Sequence, residues 1–236
     1  MKHLLKLPDR LMAIAGYIEK GASVADIGTD HGLLPVYLAQ NRLARSIIAS
    51  DISASSLDSA RRNAAKYNVS HLITFITAPG LSGIDSEKAD TIVISGLGGE
   101  TIAGILAEAT WTSNYGGKLV LQPQSKTGDL CRWLRECNFS IRDAKLVRDN
   151  GRLYVIMLVK SGKSDSVLEP ELELLTRLMY GRDPLFTEYL EDLIAITLRV
   201  LEEMKNSETP GYLDFALRLS VYVSLRDVNE KWQSDN

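Results

Sequence analysis

Cysteine and histidine are scarce in this chain of 236 residues, which contains two cysteines and three histidines. Two thiols cannot build a disulfide framework, and the scattered histidines do not complete the spacing of a four-ligand zinc site. Cys131 and Cys137 lie in a predicted amphipathic helix, where we expect them to pack rather than to act as nucleophiles. The sequence therefore favours a reducing compartment and no bound metal.

Long hydrophobic runs are missing as well. The longest apolar stretches, such as residues 153–159, are far shorter than the roughly 20 residues that cross a bilayer. The first residues do not form the apolar segment of a signal peptide. Hydrophobic residues make up 45% of the chain and charged residues 24%, a balance that excludes a disordered chain. We expect a cytoplasmic globular protein with no membrane partner.

Charge is unevenly distributed along the chain. Residues 1–160 carry 19 Lys and Arg against 15 Asp and Glu, whereas residues 161–236 carry 8 against 15. Because Lys and Arg neutralise backbone phosphates, a polyanion is expected to bind the first segment. The acidic second segment favours packing or partner contacts instead.

Short β-branched or apolar runs alternate with amphipathic segments from residue 23 onward, which is typical of βα units around a parallel sheet. The last two runs are separated only by Asp149-Asn150-Gly151, a turn that joins antiparallel strands. We therefore predict an α/β, Rossmann-like, seven-stranded sheet that ends in an antiparallel hairpin. The predicted strands span residues 23–27, 46–50, 72–77, 91–95, 118–121, 140–148 and 152–159, and the helices between them span 34–40, 55–67, 100–109 and 126–136.

A further helix is predicted before the first strand. Pro8 and Asp9 open a helical run that is stopped by Gly21, and its apolar positions should cover the sheet.

The end of the chain has only helical patterns. Residues 161–168 form a linker, Pro184 opens a long helix, and Pro210-Gly211 separates it from an antiparallel partner. We therefore predict a Rossmann-like catalytic domain of residues 1–160 and a C-terminal helical hairpin domain of residues 161–236.

The loop after the first strand reads Asp26-Ile27-Gly28-Thr29-Asp30-His31-Gly32. Open α/β sheets bind nucleotides at the carboxyl ends of their strands, so this loop is the leading candidate site. A dinucleotide fingerprint would need glycine where Asp30 and Leu33 stand, and a pyrophosphate would face a carboxylate there. The acids suit S-adenosylmethionine (SAM) better, because its sulfonium and amino groups are cationic.

Asp51 ends the second strand, about where a carboxylate can accept hydrogen bonds from both ribose hydroxyls of a bound nucleoside. Structural alternatives stay open for these positions. Gly28 and Gly32 also suit an ordinary strand-to-helix turn, and Asp51 also suits helix capping because Ser53 and Ser55 follow it.

Two further motifs accompany the first loop and its continuation Leu33-Leu34-Pro35. They are Ser95-Gly96-Leu97-Gly98-Gly99 and Gln122-Pro123. Together these motifs resemble the TrmK family of bacterial tRNA adenine N1-methyltransferases. The resemblance extends to Arg10-Leu11, to the Asp149-Asn150-Gly151 turn and to the C-terminal helices, so it covers nearly the whole chain.

The resemblance implies a class I methyltransferase fold, SAM as cofactor, tRNA as partner, and methylation of N1 of the adenine at tRNA position 22. Asp30 is the implied catalytic carboxylate. One departure is that Ala78-Pro79 precedes Gly80, where family members commonly carry an acid that contacts the adenine amine of the cofactor; a backbone carbonyl is the alternative acceptor. The cofactor-binding residues that we assign are Asp26, Gly28, Thr29, Asp51, Ile52, Gly80, Leu81 and Gly96.

Methyl transfer is an in-line displacement, so the protein mainly positions the N1 lone pair opposite the methyl group. The attack leaves a positively charged base, and Asp30 can orient the N6 amine and stabilise that charge; its alternative role is to cap the next helix. N1 lies on the Watson–Crick edge, so a paired adenine must be extruded first. His31, Gln122 and Pro123 are candidate substrate contacts, with a structural hydrogen bond and a strand-terminating turn as the alternatives.

Three functions are open at this point. The leading hypothesis is a SAM-dependent tRNA adenine-N1-methyltransferase. The second is a methyltransferase that acts on a small molecule, which predicts methyl transfer without tRNA. The third is a non-catalytic Rossmann-type binding protein, which Pro79 motivates and which predicts no SAM binding. The oligomeric state is open, and we favour a monomer.

Overall fold

The computed structural model of the protein describes residues 4–205 and 211–234. These residues form two compact units, one ending at Arg177 and the other beginning at Leu178.

Seven strands form the centre of the first unit. They are β1 (Ala22–Ile27), β2 (Ala44–Asp51), β3 (Ile73–Thr77), β4 (Thr91–Leu97), β5 (Lys118–Pro123), β6 (Phe139–Asp149) and β7 (Arg152–Ser161). They make one sheet in the order β3-β2-β1-β4-β5-β7-β6, in which β1 to β5 are parallel and β7 is antiparallel to both neighbours. The predicted Rossmann-like sheet with a terminal hairpin is confirmed.

The central parallel strands are apolar along most of their length because helices cover both faces of the sheet. All six residues of β1 are buried, and so are the first four residues of β4. Such continuous apolar runs are typical of doubly covered parallel sheets, whereas a half-exposed sheet alternates. This pattern is why the sequence located the strands to within a few residues.

Five α-helices lie before or between the strands of the described part of the first unit. They are α1 (Asp9–Ala15), α2 (Leu33–Gln40), α3 (Ala54–Lys66), α4 (Gly99–Glu108) and α5 (Thr127–Glu136). The chain crosses from β1 outward to β3 and then returns to β4 and β5 on the other side of β1. Because such crossovers are right-handed, the two halves place their helices on opposite faces of the sheet. The point between β1 and β4, where the order reverses, is where such folds bind ligands.

The prediction that the first helix continues to Gly21 is wrong. α1 ends at Ala15, and the N–H groups of Tyr17 and Ile18 donate to carbonyls three residues earlier, at 3.0 and 3.1 Å. The chain leaves the helix through these tight turns and enters β1. Ile18 is nevertheless buried, so its apolar character reflects core packing rather than helical continuation.

Three helices follow the sheet, and the boundary between the two units falls inside the first of them. They are α6 (Pro170–Tyr180), α7 (Phe186–Lys205) and α8 (Tyr212–Ser234). Asn229, near the end of α8, donates to the Thr187 hydroxyl at the start of α7 at 3.0 Å, so these two helices are antiparallel. The predicted helical hairpin is therefore confirmed.

Three details of the C-terminal prediction differ in their outcome. The long helix begins at Phe186, two residues after the predicted opening at Pro184. Pro210 lies outside the described residues. The domain boundary at residue 160 stays a prediction; in the first unit, the chain beyond it is tied to α5 by an ion pair between Glu173 and Arg135.

The two cysteines of the first unit differ: Cys131 is a packing residue of α5, as its helical pattern predicted, whereas Cys137 follows that helix as its C-terminal cap and is half-buried. Cys131 is buried in α5, where burial raises the pKa of its thiol and so disfavours the reactive thiolate. Within residues 4–205 and 211–234, no group of three or more His, Cys, Asp or Glu side chains has the arrangement of a metal site. Among the same residues, no helix combines the length and apolar character needed to cross a membrane.

Candidate active site

A cavity of about 720 Å³ opens at the carboxyl ends of β1, β2 and β4, at the point where the strand order reverses. Its size matches pockets that hold small molecules and cofactors. Nine of the residues assigned from the sequence line its wall: Asp26, Gly28, Thr29, Asp30, His31, Asp51, Ile52, Gly80 and Gly96. Residues from four separate segments of the sequence thus meet at one place.

The first loop is held against β2 by its own backbone. The N–H groups of Gly28 and Thr29 both donate to the Ser50 carbonyl, at 2.8 and 3.0 Å. Gly28 and Gly32 have left-handed φ angles of 71° and 66°, so the turn that we considered as their alternative role is present. The same turn builds the cavity wall, and the structural and functional interpretations of these glycines are therefore compatible.

Gly32 leaves no space for a side chain. A Cβ atom there would lie 2.7 Å from the Cβ of Ala60 and 3.1 Å from its Cα. Gly21 also has a left-handed φ, of 87°, but a Cβ atom there would meet nothing within 4 Å. Both glycines thus have left-handed backbone angles, but only Gly32 lies close against a neighbouring helix.

We expect Gly32→Ala to lower the free energy of unfolding by about 2–4 kcal/mol, combining left-handed strain with overpacking against α3. Gly21→Ala is the matched control, and backbone strain alone should cost it about 1 kcal/mol. Urea denaturation of both variants measures the difference. Equal losses of unfolding free energy in the two variants would show that α3 shifts to accommodate the added methyl group at position 32.

Asp51 fixes the geometry of the loop. Its Oδ2 accepts from the Asp30 N–H at 3.1 Å, and its Oδ1 accepts from the Ser53 N–H at 2.8 Å. The cap of α3 is Ser53, whose hydroxyl accepts from the Ser56 N–H at 3.3 Å. Asp51 is therefore not the helix cap that we considered as its alternative, and its carboxylate faces the cavity.

Asp30 stands at the mouth of the cavity. It has a left-handed φ of 49°, and its side chain is 67% exposed. Its Oδ2 lies 3.5 Å from Nε2 of His31, which is also exposed. The Asn63 amide donates to the His31 carbonyl at 2.9 Å, so the backbone at this position is anchored to α3. Both side chains point where a substrate can meet them.

Asp26 lies deep in the wall and is buried. Burial raises the pKa of its carboxyl group to about 6, an effect that Asp51 reinforces and that a hydrogen bond from Thr29 and the charge of Arg10 oppose. The Thr29 hydroxyl donates to Asp26 Oδ2 at 2.7 Å. A buried carboxyl group with a perturbed pKa inside a cleft is typical of a functional site.

Arg10 also lines the cavity, although no local sequence pattern assigned it to the site. Its Nη1 donates to Gln122 Oε1 at 2.7 Å, its Nε lies 3.8 Å from Asp149 Oδ2, and its guanidinium lies over the Tyr154 ring at 5.8 Å. These partners are more than a hundred residues away in the chain. The only indication of Arg10 in the sequence was therefore its place in the Arg10-Leu11 motif. We call Arg10, Gln122 and Asp149 the arginine clamp.

Gln122 has a different role from the one we expected. Its side chain is fully buried, its Oε1 accepts from Arg10 and from the Gly96 N–H at 3.0 Å, and its Nε2 donates to the Pro123 carbonyl at 2.8 Å. The amide is thus buried and hydrogen-bonded to protein groups through both its oxygen and its nitrogen, and it does not face a base edge. Neither Gln122 nor Pro123 lines the cavity, and Gln124 does so instead.

Leu81 also lies behind the cavity wall, because its side chain is buried while Ala78, Pro79 and Gly80 form the surface. The Ala78 N–H donates to the Asp51 carbonyl at 3.1 Å, which holds this segment beside the second strand. The segment that departs from the family pattern is therefore in the expected place, with backbone rather than a carboxylate at the surface.

The fold and the cavity define a class: a Rossmann-like sheet whose nucleotide loop carries acids instead of a phosphate cradle is the architecture of a class I methyltransferase. The comparisons with known proteins agree. The sequence pattern of the "Methyltransferase domain" family matches residues 7–157. A tRNA (adenine(22)-N(1))-methyltransferase of Bacillus subtilis is 33% identical over 165 residues, which cover 70% of this chain and 69% of that protein.

Solved structures show the same likeness over most of the chain. The crystal structure of the B. subtilis m1A22 tRNA methyltransferase TrmK superposes with a TM-score of 0.80 at 27% identity, covering 94% of this chain and 99% of that one. M. capricolum TrmK, solved in complex with S-adenosyl-homocysteine (SAH), has a TM-score of 0.77 at 26% identity and covers 96% and 99%. The chain belongs to the methyltransferase domain family, in its TrmK branch, as the sequence motifs predicted.

Proposed function

We propose that the protein transfers the methyl group of SAM to N1 of an adenine in tRNA, at the position numbered 22. The observation that carries this proposal is the exposed carboxylate of Asp30 at the mouth of an acid-lined cavity, in a chain of the TrmK branch. The B. subtilis relative is named for this reaction, and the M. capricolum relative was solved with the cofactor product.

The cavity wall fits SAM through its charges. Asp26 and Arg10 both line the cavity, and their carboxyl and guanidinium groups suit the ammonium and the carboxylate of an amino acid. Asp51 uses both oxygens for backbone N–H groups and has lone pairs left for ribose hydroxyls. Ile52 is 72% exposed beside it and offers an apolar surface to an adenine ring. Bound SAM supplies an electrophilic methyl group on its sulfonium.

Asp30 is the proposed catalytic residue. It lies in the first loop, with its backbone N–H bonded to Asp51 and its side chain exposed to solvent. There its carboxylate can accept a hydrogen bond from the N6 amine of an extruded adenine and stabilise the charge that develops on the ring. His31, in the same wall, is the proposed neighbouring substrate contact. This arrangement needs no proton transfer before attack, because adenine N1 carries a free lone pair.

Transfer of labelled methyl from SAM to tRNA tests the proposal, with tRNA taken from a strain that lacks this gene. We expect 1-methyladenosine at position 22, identified by mass spectrometry of nuclease fragments. Transfer to small molecules without tRNA would favour the second hypothesis of the sequence analysis. Absence of SAM binding would favour the third, and the Pro79 segment would then be the first place to examine. We also infer a cytoplasmic location, where tRNA is found, and a monomer.

Binding of SAH should depend on pH through Asp26. In the free protein the pKa of this carboxyl is about 6, and an ammonium group bound beside it favours its ionised form. Affinity should therefore be near its maximum at pH 7 and should fall as the pH drops through 6, by about tenfold at pH 5 relative to pH 7. Titration calorimetry at both pH values measures the change.

The Asp26→Asn variant is the control for this pH dependence, because it keeps the size and a hydrogen-bond acceptor for Thr29 but cannot ionise. It should bind SAH more weakly than the wild type at pH 7 and show no change between pH 5 and pH 7. A wild-type affinity that is the same at both values would contradict an ammonium contact at Asp26.

A further inference from the structure

The tip of the β6–β7 hairpin, residues 148–152, stands beside the cavity. Leu121 of β5 is paired with Met157 of β7 in antiparallel register. Extending that register places Tyr154 level with Gln124, a residue of the cavity wall, and Arg152 three positions beyond the end of β5. At about 3.3 Å per residue, the tip projects roughly 10 Å past the carboxyl edge of the sheet.

The tip carries one acid and two arginines. The acid, Asp149, is largely buried, with a side chain 13% exposed, and its carboxylate lies 3.8 Å from the guanidinium of Arg10. Arg148 and Arg152, on either side of the turn, are exposed. Arg152 pairs with Asp149 across the hairpin, so the two arginines lie on opposite faces of the tip, one exposed on each.

The lining of the cavity includes several carboxylates, among them Asp30, Asp51 and Glu108. These acids repel a phosphate backbone that approaches Asp30 unless nearby cations hold it. Two arginines at a fixed distance from the cavity meet that requirement, because guanidinium groups bind phosphates through paired N–H donors.

The tip is fixed to the cavity by the arginine clamp. Arg10 bonds to Gln122, and the same Gln122 oxygen accepts from the N–H of Gly96 in the cavity wall. The guanidinium of Arg10 also lies over the ring of Tyr154, two residues beyond the tip. The cavity wall and the hairpin are therefore connected through the buried amide of Gln122 and the guanidinium of Arg10.

We propose that the hairpin tip is an RNA-contacting surface, on which Arg148 and Arg152 bind backbone phosphates next to the nucleotide that enters the cavity. This inference rests on the proposed function and names the part of the protein that positions its substrate. The tip supplies orientation rather than base recognition, because phosphate contacts carry no sequence information.

The test compares two double variants that remove the same charge. Arg148→Gln/Arg152→Gln alters the tip, and Arg42→Gln/Lys66→Gln alters two exposed cations at the opposite edge of the sheet, where α2 and α3 end. For each protein, the dissociation constant for tRNA is measured with SAH bound at several salt concentrations, together with SAM affinity and the KM and kcat of methyl transfer.

We expect the tip variant to bind tRNA about tenfold more weakly and to lower the slope of log affinity against log salt by about 2. Its KM for tRNA should rise, whereas SAM affinity and kcat at saturating tRNA should stay near wild type. The control variant should bind tRNA within about twofold of wild type. Equal weakening of both variants, or of neither, would overturn the inference while leaving the proposed function intact.

Measurements on the wild type distinguish a failure of the proposed reaction from a failure of the proposed RNA-contacting surface. If it binds tRNA without methylating it, and the tip variant binds more weakly, the proposed reaction fails and the RNA-contacting surface stands. If the wild type neither binds nor methylates tRNA, both fail.

Discussion

Replacing Asp30 by Asn is expected to lower the rate of methyl transfer to tRNA by about two to three orders of magnitude, the usual cost of removing a group that stabilises transition-state charge. SAM affinity should stay within about twofold, because the Asp30 contact to Asp51 is made by the backbone N–H. Asn also tolerates the left-handed φ of 49° at this position, so little structural change is expected. Single-turnover methylation at saturating SAM measures the rate.

Asp58→Asn is the control for this loss, since it removes an exposed carboxylate from α3 at no position lining the cavity. It should methylate at the wild-type rate. An Asp30→Asn enzyme that retained near wild-type activity would leave Asp30 with a structural role only and would move the search for the charge-stabilising group to His31.

Replacing Asp51 by Ala should weaken SAM binding by about a hundredfold. The carboxylate accepts from two backbone N–H groups that shape the loop, and in the proposed complex it also accepts from the ribose hydroxyls. Loss of charged hydrogen bonds of this kind costs about 3 kcal/mol, which corresponds to that factor in affinity. Calorimetric titration with SAM or SAH gives the dissociation constant directly.

Ser53→Ala tests the alternative that Asp51 affects SAM binding only by supporting the start of α3. Ser53 caps α3 with its hydroxyl, whereas its N–H, which reaches Asp51, survives the substitution. This variant should lose about 1 kcal/mol of stability and bind SAM normally. If Ser53→Ala weakened SAM binding as much as Asp51→Ala does, the ribose contact would have to be abandoned.

The strands and the first loop could be predicted from the sequence because they depend on local sequence patterns. The strands were found because doubly covered parallel strands are largely apolar, as in residues 92–94 of β4. The loop after β1 was found because ligands bind where such strands end. The end of α1 was placed too late, since Ile18 is buried through turns that have the same apolar spacing as a helix.

What the sequence missed depends on contacts between distant residues. Arg10 joins Gln122 and Asp149, and no local pattern marks partners so far apart. The Gln122 side chain was expected to face a base, but it is buried beneath Gly96. Its residue type and its place at a strand end were visible; the direction of its amide depends on how β5 packs against its neighbours.

The arginine clamp also sets an order of events during synthesis on the ribosome. The loop, Asp51 and Gly96 all emerge early, but Arg10 waits for Gln122 and then for Asp149, which comes from the hairpin. Until Gln122 is made, Arg10 and Gly96 lack the amide that joins them, and until the hairpin is made Arg10 also lacks Asp149. The cofactor pocket is therefore completed late in translation, and a chain truncated before residue 149 has the motif residues without the finished site.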